Sequence, residues 1–281
     1  MPAVLVTGAS TGIGEATAVH LDGLGHHVFA SVRKEEDGER LRDQASDRLT
    51  PLLFDVTDEK AVGAAAETVT ETLGATRFAG VVNNAGIGMG GPLEYLSLDD
   101  WRQQFEVNVL GQVVVTKAFL PLVRDGHGRI VFIGSISGRC GTALMGPYTG
   151  SKFAIEGIAE ALRLELHPWD IKVSVVEPGA IKTAIWEKGR GQAAELTSRF
   201  PPEAVDRYRA AIDMITRGID YQDEHGIAPV GVAKAVEHAL FAPRPRLRYV
   251  VGNDAKVTAL MSRFMPDSAK DAIVRRIAGR I

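Results

Sequence analysis

Short apolar runs alternate along the chain with longer amphipathic stretches. Runs such as Val4–Val6 and Val173–Val176 are almost wholly apolar, which is typical of strands in a sheet covered on both faces. The stretches between them have the spacing of helices that pack one face on the sheet. The pattern predicts seven strands, over Ala3–Thr7, His27–Val32, Thr50–Phe54, Phe78–Asn83, Arg129–Gly134, Ile171–Val176 and Arg248–Val251.

This alternation predicts an α/β fold with a Rossmann-type, doubly wound parallel sheet in a single domain spanning residues 1–281. An eight-stranded barrel is the alternative, but seven strands are too few for it. Residues 185–226 do not follow the alternation of strands and helices, and we expect them to form a small helical substrate lobe or lid. An insertion with only a packing role is the other interpretation. Residues 253–281 are expected to form a C-terminal helical extension.

Composition excludes several classes of protein. Of 281 residues, 45% are hydrophobic and 24% charged, as in a folded globular chain, and the net charge of −3 provides no field for nucleic acid or an anionic membrane. No apolar run reaches the roughly 18 residues of a membrane span. The single cysteine, Cys140, fits a reducing compartment, so we expect a cytoplasmic protein. The histidines lack ligand-like spacing, so no metal site is expected.

A glycine-rich turn follows the first predicted strand and leads into a helix. Free N–H groups at a helix start bind anions, and glycine lets a pyrophosphate approach the backbone. The spacing is G-x-x-x-G-x-G, in the strand-turn-helix context that a dinucleotide site requires. The expected cofactor-binding residues of this turn are Gly8, Ser10, Thr11, Gly12, Ile13 and Gly14.

The end of the second strand bears on the choice of cofactor. An acidic residue there would bind the ribose 2′-hydroxyl of NAD, whereas an arginine accommodates a 2′-phosphate. Val32 stands in the place of the acid, and Arg33 and Lys34 follow it. We therefore expect NADP(H) to be preferred, with NAD(H) possible. A solvated loop of mixed charge is the alternative, because Glu35 comes next.

Polar and small residues follow the third and fourth strands. Asp55, with Val56 beside it, can accept a hydrogen bond from an adenine amino group, or it can cap the helix that begins near Thr57 or Asp58. After the fourth strand we expect Asn84, Ala85 and Gly86 to line the cofactor site, and Asn83 to have a structural role.

Ser135, Tyr148 and Lys152 form the candidate catalytic constellation. Tyr148 and Lys152 are four residues apart on an amphipathic helix, so both project from one face. A neighbouring ammonium and a nicotinamide cation are expected to lower the pKa of the phenol, which makes it a usable acid or base. Ser135 follows the fifth strand, where its hydroxyl can hold a substrate oxygen.

These motifs together resemble the short-chain dehydrogenase/reductase family, in the subset with T-G-x-x-x-G-I-G and Y-x-x-x-K. Outside these motifs, we expect solvated surface at Arg244, Arg246 and Arg248 and at the later arginines. The matching positions cover residues 1 to about 185 and are Thr7–Gly14, Asp55, Asn83–Gly86, Asn108, Ser135, Tyr148–Lys152, Pro178, Gly179 and Thr183.

The resemblance implies roles that the residues alone do not reveal. It implies Tyr148 as acid/base, Ser135 orienting the substrate oxygen, and Lys152 lowering the pKa of the tyrosine and holding the ribose. It also implies a water-linked proton relay organised by Asn108, and pairing of subunits through two long helices as a homodimer or homotetramer. The nicotinamide pocket would be lined by Pro178, Gly179, Ile181 and Thr183.

Two features depart from the family pattern. Gly134 stands where many members have a serine, and about thirty residues follow Gly252. That tail resembles the branch that acts on steroid- and retinoid-like alcohols. Met145 and Trp186, with other apolar residues of the lobe, suggest a pocket for a hydrophobic alcohol or ketone, or else they pack the lobe's own core.

The leading function is hydride transfer between a nicotinamide and a carbonyl or secondary alcohol, with a small-molecule substrate. A cofactor-bound sensor or scaffold without turnover is the alternative, because fold alone does not establish catalysis. An epimerase or dehydratase working through transient oxidation is a third possibility, although such enzymes usually carry a larger second lobe.

Overall fold

The computed structural model describes residues 1–182 and 200–278, and for Val274, Ile277 and Ala278 the backbone alone. In these ranges seven strands form one parallel sheet in the order β3-β2-β1-β4-β5-β6-β7. The predicted α/β fold is confirmed, and each strand end lies within two residues of its predicted place. The strands are β1 (Ala3–Val6), β2 (His27–Val32), β3 (Leu49–Leu53), β4 (Phe78–Asn83), β5 (Arg129–Ile133), β6 (Lys172–Pro178) and β7 (Arg248–Val251).

Helices connect and follow the strands. Part of the expected lobe is one long helix, and the expected C-terminal extension is helical; residues 185–199 of the lobe lie outside the described residues. A π-helical turn, Glu106–Leu110, joins α4 to α5. The helices are α1 (Gly12–Gly23), α2 (Glu35–Arg42), α3 (Glu59–Leu73), α4 (Leu98–Phe105), α5 (Gly111–Asp125), α6 (Gly146–Glu165), α7 (Pro202–His225), α8 (Val230–Phe241), α9 (Asn253–Phe264) and α10 (Asp267–Ala278).

The sheet is buried on both faces, as its apolar strands predict. Along β1 the side chains of Ala3 and Leu5 enter one apolar cluster, while those of Val4 and Val6 enter another. This follows from the two-residue period of a strand. The first cluster also contains Val69 of α3, Phe119 of α5 and Ile155 of α6, and the second contains Leu21 of α1 and Val236 of α8.

The helical run Leu98–Asp125 is, by length and composition, apolar enough to cross a membrane. Its side chains Val115, Phe119 and Val123 are fully buried in the core against the sheet. A helix that is covered on its apolar side by a sheet has the same composition as a membrane span. The core therefore accounts for the apolar side chains on the sheet-facing side of this run, while Leu98 and Leu110 stay exposed.

The strand order creates a crevice between β1 and β4. The chain leaves β1 toward β2 and leaves β4 toward β5, so the connections diverge at this point, where ligands of such sheets bind. The two turns are in close contact: Gly8 has φ +65°, and a Cβ on it would lie 2.8 Å from Cα of Ala85. Glycine is required at this position for both reasons.

Candidate active site

A cleft of about 330 Å³ runs along the carboxyl edge of the sheet. Of the predicted site residues, Gly14, Asn108 and Met145 are not among those lining the cleft, and Thr183 and Trp186 lie outside the described residues. The structure brings the others to its wall: Gly8, Ser10, Thr11, Gly12, Ile13, Arg33, Asp55, Val56, Asn84, Ala85, Gly86, Ser135, Tyr148, Lys152, Pro178, Gly179 and Ile181.

The glycine turn fits a dinucleotide. Gly8 and Gly12 both have positive φ, and Thr11 at the start of α1 makes no side-chain capping bond, so the first-turn N–H groups of the helix are not capped by it. Gly14 has a different part: a Cβ there would lie 2.2 Å from the Gly8 carbonyl oxygen and 2.5 Å from Nδ2 of Asn84. Gly14 thus packs beneath the turn instead of lining the cleft.

Side chains at the end of β4 hold this turn in place. The Asn84 amide donates from Nδ2 to the carbonyl oxygens of Thr7, at 2.8 Å, and Gly8, at 3.0 Å. Its neighbour Asn83 donates from Nδ2 to Oγ1 of Thr116 on α5, at 2.9 Å. Asn84, expected to bind cofactor, lines the cleft but uses its amide donors to fix the glycine turn.

Arg33 lies at the expected adenosine end of the cleft. Its side chain is 70% exposed, and Nη1 is 3.8 Å from Oδ2 of Asp55. Oδ1 of Asp55 accepts hydrogen bonds from the backbone N–H and hydroxyl of Thr57 at 3.0 and 2.8 Å. The residue that caps α3 is Asp58, through the N–H groups of Lys60 and Ala61. An exposed guanidinium with one weak, distant partner can bind a phosphate.

Arg40 is a residue at the glycine turn that sequence reasoning missed. It donates from Nη1 to Oε1 of Glu15 at 2.7 Å and from Nη2 to the Ser10 carbonyl oxygen. Asp37 lies 3.6 Å from Nη2. Because its partners are already in place, Arg40 braces the turn against α2. No local pattern marks this residue, since its partners lie 25 and 30 positions away.

Ser135, Tyr148 and Lys152 meet at the carboxyl end of β5. The hydroxyl of Ser135 lies close enough to Tyr148 to lower the pKa of the phenol. Oγ of Ser135 also accepts from the Ser137 N–H at 3.1 Å. Nζ of Lys152 donates to the Ile133 carbonyl oxygen at 2.8 Å and lies 5.7 Å from the centre of the Tyr148 ring. The expected constellation is assembled in the cleft.

The pKa values of Tyr148 and Lys152 depend on how deeply both side chains are buried. Burial raises the pKa of Tyr148 above its ordinary value, and only the hydrogen bond with Ser135 opposes that shift. The expected lowering by Lys152 and a nicotinamide cation stays a prediction for the cofactor-bound protein, since the ammonium here is directed at the Ile133 carbonyl oxygen. Burial lowers the pKa of Lys152 to about 8. The protein's own groups therefore favour a neutral phenol beside a lysine that is charged at neutral pH.

Asn108 lies in the π-helical turn, fully buried behind the cleft wall. Its Oδ1 accepts from the Ile87 N–H at 2.8 Å, and its Nδ2 donates to the Ile87 carbonyl oxygen at 2.9 Å and to Oγ of Ser151 at 3.1 Å. Both backbone groups of Ile87, which lines the cleft, are thus held by one side chain. Single π-helical turns occur often at functional sites because they change the direction of a helix face.

The segment after β6 is fixed by the C-terminal extension. Oδ2 of Asp254, in the first turn of α9, accepts from the Ala180 N–H at 2.7 Å. Asp254 lines the cleft, as does Gln222 of α7, whose Oε1 is buried without a partner. Ile181 pairs with Ile227 in an isolated parallel bridge. Neither Asp254 nor Gln222 was predicted, since no motif marks them.

Helix α7 is hydrogen-bonded to the turn Leu93–Tyr95. Tyr208 donates its hydroxyl to Oε1 of Glu94 at 2.9 Å, and Arg207 donates to the same oxygen at 3.3 Å. Met145, expected to contact substrate, immediately precedes α6 and lies so near Gly90 that a Cβ there would be 2.6 Å from its sulfur. Met145 thus supports the loop beside Tyr148.

The chain is similar to known proteins over almost its whole length. The family model for short chain dehydrogenases matches residues 2–193. Retinol dehydrogenase 16 of Homo sapiens is 37% identical over 276 residues, 96% of this chain and 87% of its own length. An NADPH-dependent 3-dehydrocapnine reductase of Ornithobacterium rhinotracheale is 33% identical over 274 residues, 96% of this chain and 94% of its own.

The fold is also shared with solved structures. A short chain dehydrogenase from Burkholderia cenocepacia, in complex with NADP, superposes with a TM-score of 0.72 at 26% identity, covering 98% of this chain and 97% of its own. The expected resemblance is confirmed by the family match and by the relatives. The chain belongs to the short-chain dehydrogenase family and is an NAD(P)-dependent oxidoreductase acting on CH–OH and C=O groups.

Proposed function

We propose that the protein transfers hydride between NADP(H) and the carbonyl or secondary alcohol carbon of a hydrophobic small molecule, with Tyr148 as the acid/base. The observation that carries the proposal is the meeting of Tyr148, Ser135 and Lys152 in the cleft that the glycine turn also lines. The bound nicotinamide supplies or accepts the hydride, and the protein's side chains manage the substrate oxygen and its proton.

The chemistry assigned to each side chain follows from its surroundings. In carbonyl reduction the neutral Tyr148 hydroxyl donates its proton to the substrate oxygen, a step worth about 10²–10⁴-fold in rate. Ser135, which acts on that hydroxyl, holds the same substrate oxygen as negative charge develops. The Lys152 ammonium stabilises the phenolate that remains. Asn108 contributes to the proton relay through the position of Ile87 and Ser151.

NADP(H) is the proposed cofactor, and NAD(H) remains possible. Arg33 supports this, because its guanidinium lines the cleft, is mostly exposed and has only Asp55 nearby. The reductase from Ornithobacterium rhinotracheale, which is named as NADPH-dependent, and the Burkholderia structure with NADP are in keeping with it. The 2′-phosphate would form a charge-assisted hydrogen bond with Arg33.

A hydrophobic substrate is supported by a second cavity of about 300 Å³, whose wall includes Gly146 and Pro147, the two residues before Tyr148. Apolar walls of this kind bind the carbon skeleton of a ligand, and a few polar groups orient it. Relatives named as retinol dehydrogenases and a 17-beta-hydroxysteroid dehydrogenase point to the same class. We propose that α7, the described helix of the expected lobe, covers this side of a single domain. The side chains lining the cavity include Leu93, Trp101, Leu144, Pro147, Tyr208 and Ala211.

We further propose a cytoplasmic homodimer or homotetramer. The two long helical elements that would pair, Leu98–Asp125 and α6, carry exposed apolar side chains outside the core. These are Leu98, Leu110, Phe153 and Leu164. The free thiol of Cys140 supports a reducing compartment.

Absorbance of reduced nicotinamide tests the proposal, with NADPH and NADH in parallel against hydrophobic ketones, aldehydes, steroids and quinones. The Tyr148→Phe variant is the matched control, because it removes the proton donor and retains the ring. We expect substrate-dependent oxidation of the reduced nicotinamide by the parent protein and none by the variant. Fluorescence titration should show that both proteins bind NADPH equally well. Equal turnover in both proteins would refute the acid/base role.

A further inference from the structure

Four charged side chains meet beneath the turn that carries Ser135. Arg139 donates from Nε and Nη2 to the two carboxylate oxygens of Glu177, both at 2.7 Å, and Glu177 is fully buried. Arg248 donates from Nε to Oε2 of Glu156 at 2.8 Å and lies 3.7 Å from Oε1 of Glu177. Two carboxyl groups and two guanidinium groups therefore form one cluster, which the reaction as proposed does not use.

The cluster touches every segment that holds the catalytic group. Glu156 follows Lys152 by one turn of α6 and packs against the glycines on either side of the Ser135 turn. A Cβ on Gly134 would lie 3.4 Å from Oε1 of Glu156, and a Cβ on Gly138 would lie 3.2 Å from its Cγ. The close contact at position 134 is with β6, because a Cβ there would lie 2.7 Å from Cγ1 of Val175.

The surroundings of Glu156 favour a protonated carboxyl group. Oε1 of Glu156 is buried without a hydrogen-bond partner among the described residues, and the neighbouring carboxyl group that acts on Glu156 is that of Glu177. Two carboxyl oxygens form a hydrogen bond only when one of them is protonated. Burial and the nearby Glu177 raise the pKa of Glu156 to about 7, whereas both carboxylate oxygens of Glu177 accept hydrogen bonds from Arg139.

We propose that Glu156 is a positioning residue that carries a proton shared with Glu177 under acidic conditions and, once ionised, keeps Lys152 in its ammonium form. The inference rests on the proposed function, since it assigns Glu156 an effect on hydride transfer through Lys152 and Tyr148. Glu156 has no contact with the substrate or the cofactor in this role.

The charged groups around Glu156 give the effect its sign. The charged groups on α6 itself are Lys152 and Glu160. Those that face Glu156 from neighbouring elements are Arg139, Glu177 and Arg248. Asp254 of α9 faces Gly179 instead. The Glu156 carboxylate raises the pKa of Lys152, which burial lowers. Without it, Lys152 loses its proton at lower pH, and the Tyr148 phenolate loses its counter-charge.

The test compares kcat for carbonyl reduction in the parent protein and Glu156→Gln across the pH range. Glutamine has the shape of a protonated glutamate, so the two proteins should have equal kcat near about pH 6, where Glu156 is mostly neutral. Above neutrality kcat of Glu156→Gln should decrease at a lower pH than kcat of the parent protein. The alkaline limb of its pH profile should lie about half a pH unit lower. A structural role alone would lower kcat by the same factor at every pH.

Two variants serve as controls. Glu160→Gln removes a carboxylate from the same helix and the same Arg248, but Glu160 is exposed, so its pH profile should match the parent. Glu156→Asp retains a carboxylate and should restore the parent limb. A pH-independent loss in Glu156→Gln, or an equal shift in Glu160→Gln, would overturn the proposal.

A second readout does not depend on activity. The infrared spectrum of the protein at acidic pH should contain the C=O band of a buried carboxylic acid, which disappears as the pH rises through neutrality and is missing in Glu156→Gln but present in Glu160→Gln. A parent protein without this titrating band would refute the shared proton even if hydride transfer is confirmed. Conversely, a parent protein that turns over none of the substrates would refute the proposed function. The infrared band would then still test whether Glu156 carries a proton.

Discussion

The Asp254 carboxylate accepts a hydrogen bond from the Ala180 N–H at 2.7 Å, although the two residues are 74 positions apart. Gly179, between Pro178 and Ala180, lies so close to this carboxylate that a Cβ there would be 2.2 Å from Oδ2. The first turn of α9 thereby holds the segment that closes the cleft after β6. The C-terminal extension, which looks like an appendage in the sequence, is part of the wall of the site.

Replacing Asp254 by alanine should weaken cofactor binding. A hydrogen bond to a charged acceptor is worth about 1.5–3 kcal/mol, so the KM for NADPH should rise about tenfold. Steady-state kinetics measures this, and Lys256→Ala, an exposed residue in the next turn position, is the control. An unchanged KM in Asp254→Ala would show that the segment holds its position without the carboxylate.

Asn108→Asp should impair both stability and turnover. The substitution retains the shape but sets a carboxylate oxygen against the Ile87 carbonyl oxygen, where Nδ2 now donates at 2.9 Å. Breaking a buried hydrogen bond in this way costs about 1–3 kcal/mol of the free energy of unfolding. Urea denaturation and kcat are the measurements. Normal stability with full activity would contradict the assigned role of holding Ile87 at the cleft.

Arg33→Asp should shift the preference from NADPH toward NADH. The variant replaces attraction to a 2′-phosphate by repulsion, so the ratio of kcat/KM for NADPH to that for NADH should fall at least about tenfold. Lys34→Asp makes the same charge change at an exposed neighbour that does not line the cleft. Equal ratios in the parent and Arg33→Asp would reject Arg33 as the phosphate-binding residue.

Carbonyl reduction should decline on the alkaline side with a midpoint near the pKa of Lys152, about 8. The sign follows from the roles: below this pH the ammonium supports the Tyr148 phenolate formed by proton transfer, and above it that support is lost. Burial raises the pKa of Tyr148, so the tyrosine alone would produce a decline only at much higher pH. Measuring kcat with saturating NADPH across the alkaline pH range distinguishes the titration of Lys152 from that of Tyr148. A kcat that stays constant past pH 9 would contradict the role of Lys152.

Phe153→Glu should reduce the size of the assembly. Phe153 is 45% exposed on α6, within the helix pair proposed to form the interface, and a buried glutamate there would be costly. Sedimentation velocity should find the parent as a dimer or tetramer and the variant as a smaller species. Leu24→Glu, at a similarly exposed position after α1, is the control. A parent protein that sediments as a monomer would refute the oligomer.

Much of the fold was predictable because it depends on local patterns. The strands are apolar runs of four to seven residues bounded by turns, and their alternation onto two clusters follows from the strand period alone. The glycine turn, and the pair Tyr148 and Lys152, depend only on spacing within a few residues. Such features survive in the sequence because consecutive residues determine them.

Other features could not be read in this way. Gly14 has the spacing of a cofactor-binding residue, yet its lack of a side chain serves the contact with Gly8 and Asn84. The sequence predicts a lowered pKa for Tyr148 beside an ammonium and a nicotinamide cation, whereas burial among the protein's own groups raises it, and the depth of a side chain is known only once the chain is folded. Burial and the direction of the lysine ammonium are properties of the packed protein.

The sequence by itself determined the parallel sheet, the position of the dinucleotide turn and the residues able to carry the chemistry, because each depends on short-range periodicity or spacing. The tertiary structure alone decided that Asp254 holds Ala180, and that Glu156 meets Glu177 beneath Ser135. These contacts join segments far apart in the chain, and their partners are chosen by how helices pack on the sheet. Long-range packing therefore sets the electrostatics of the site, while local pattern sets its chemical groups.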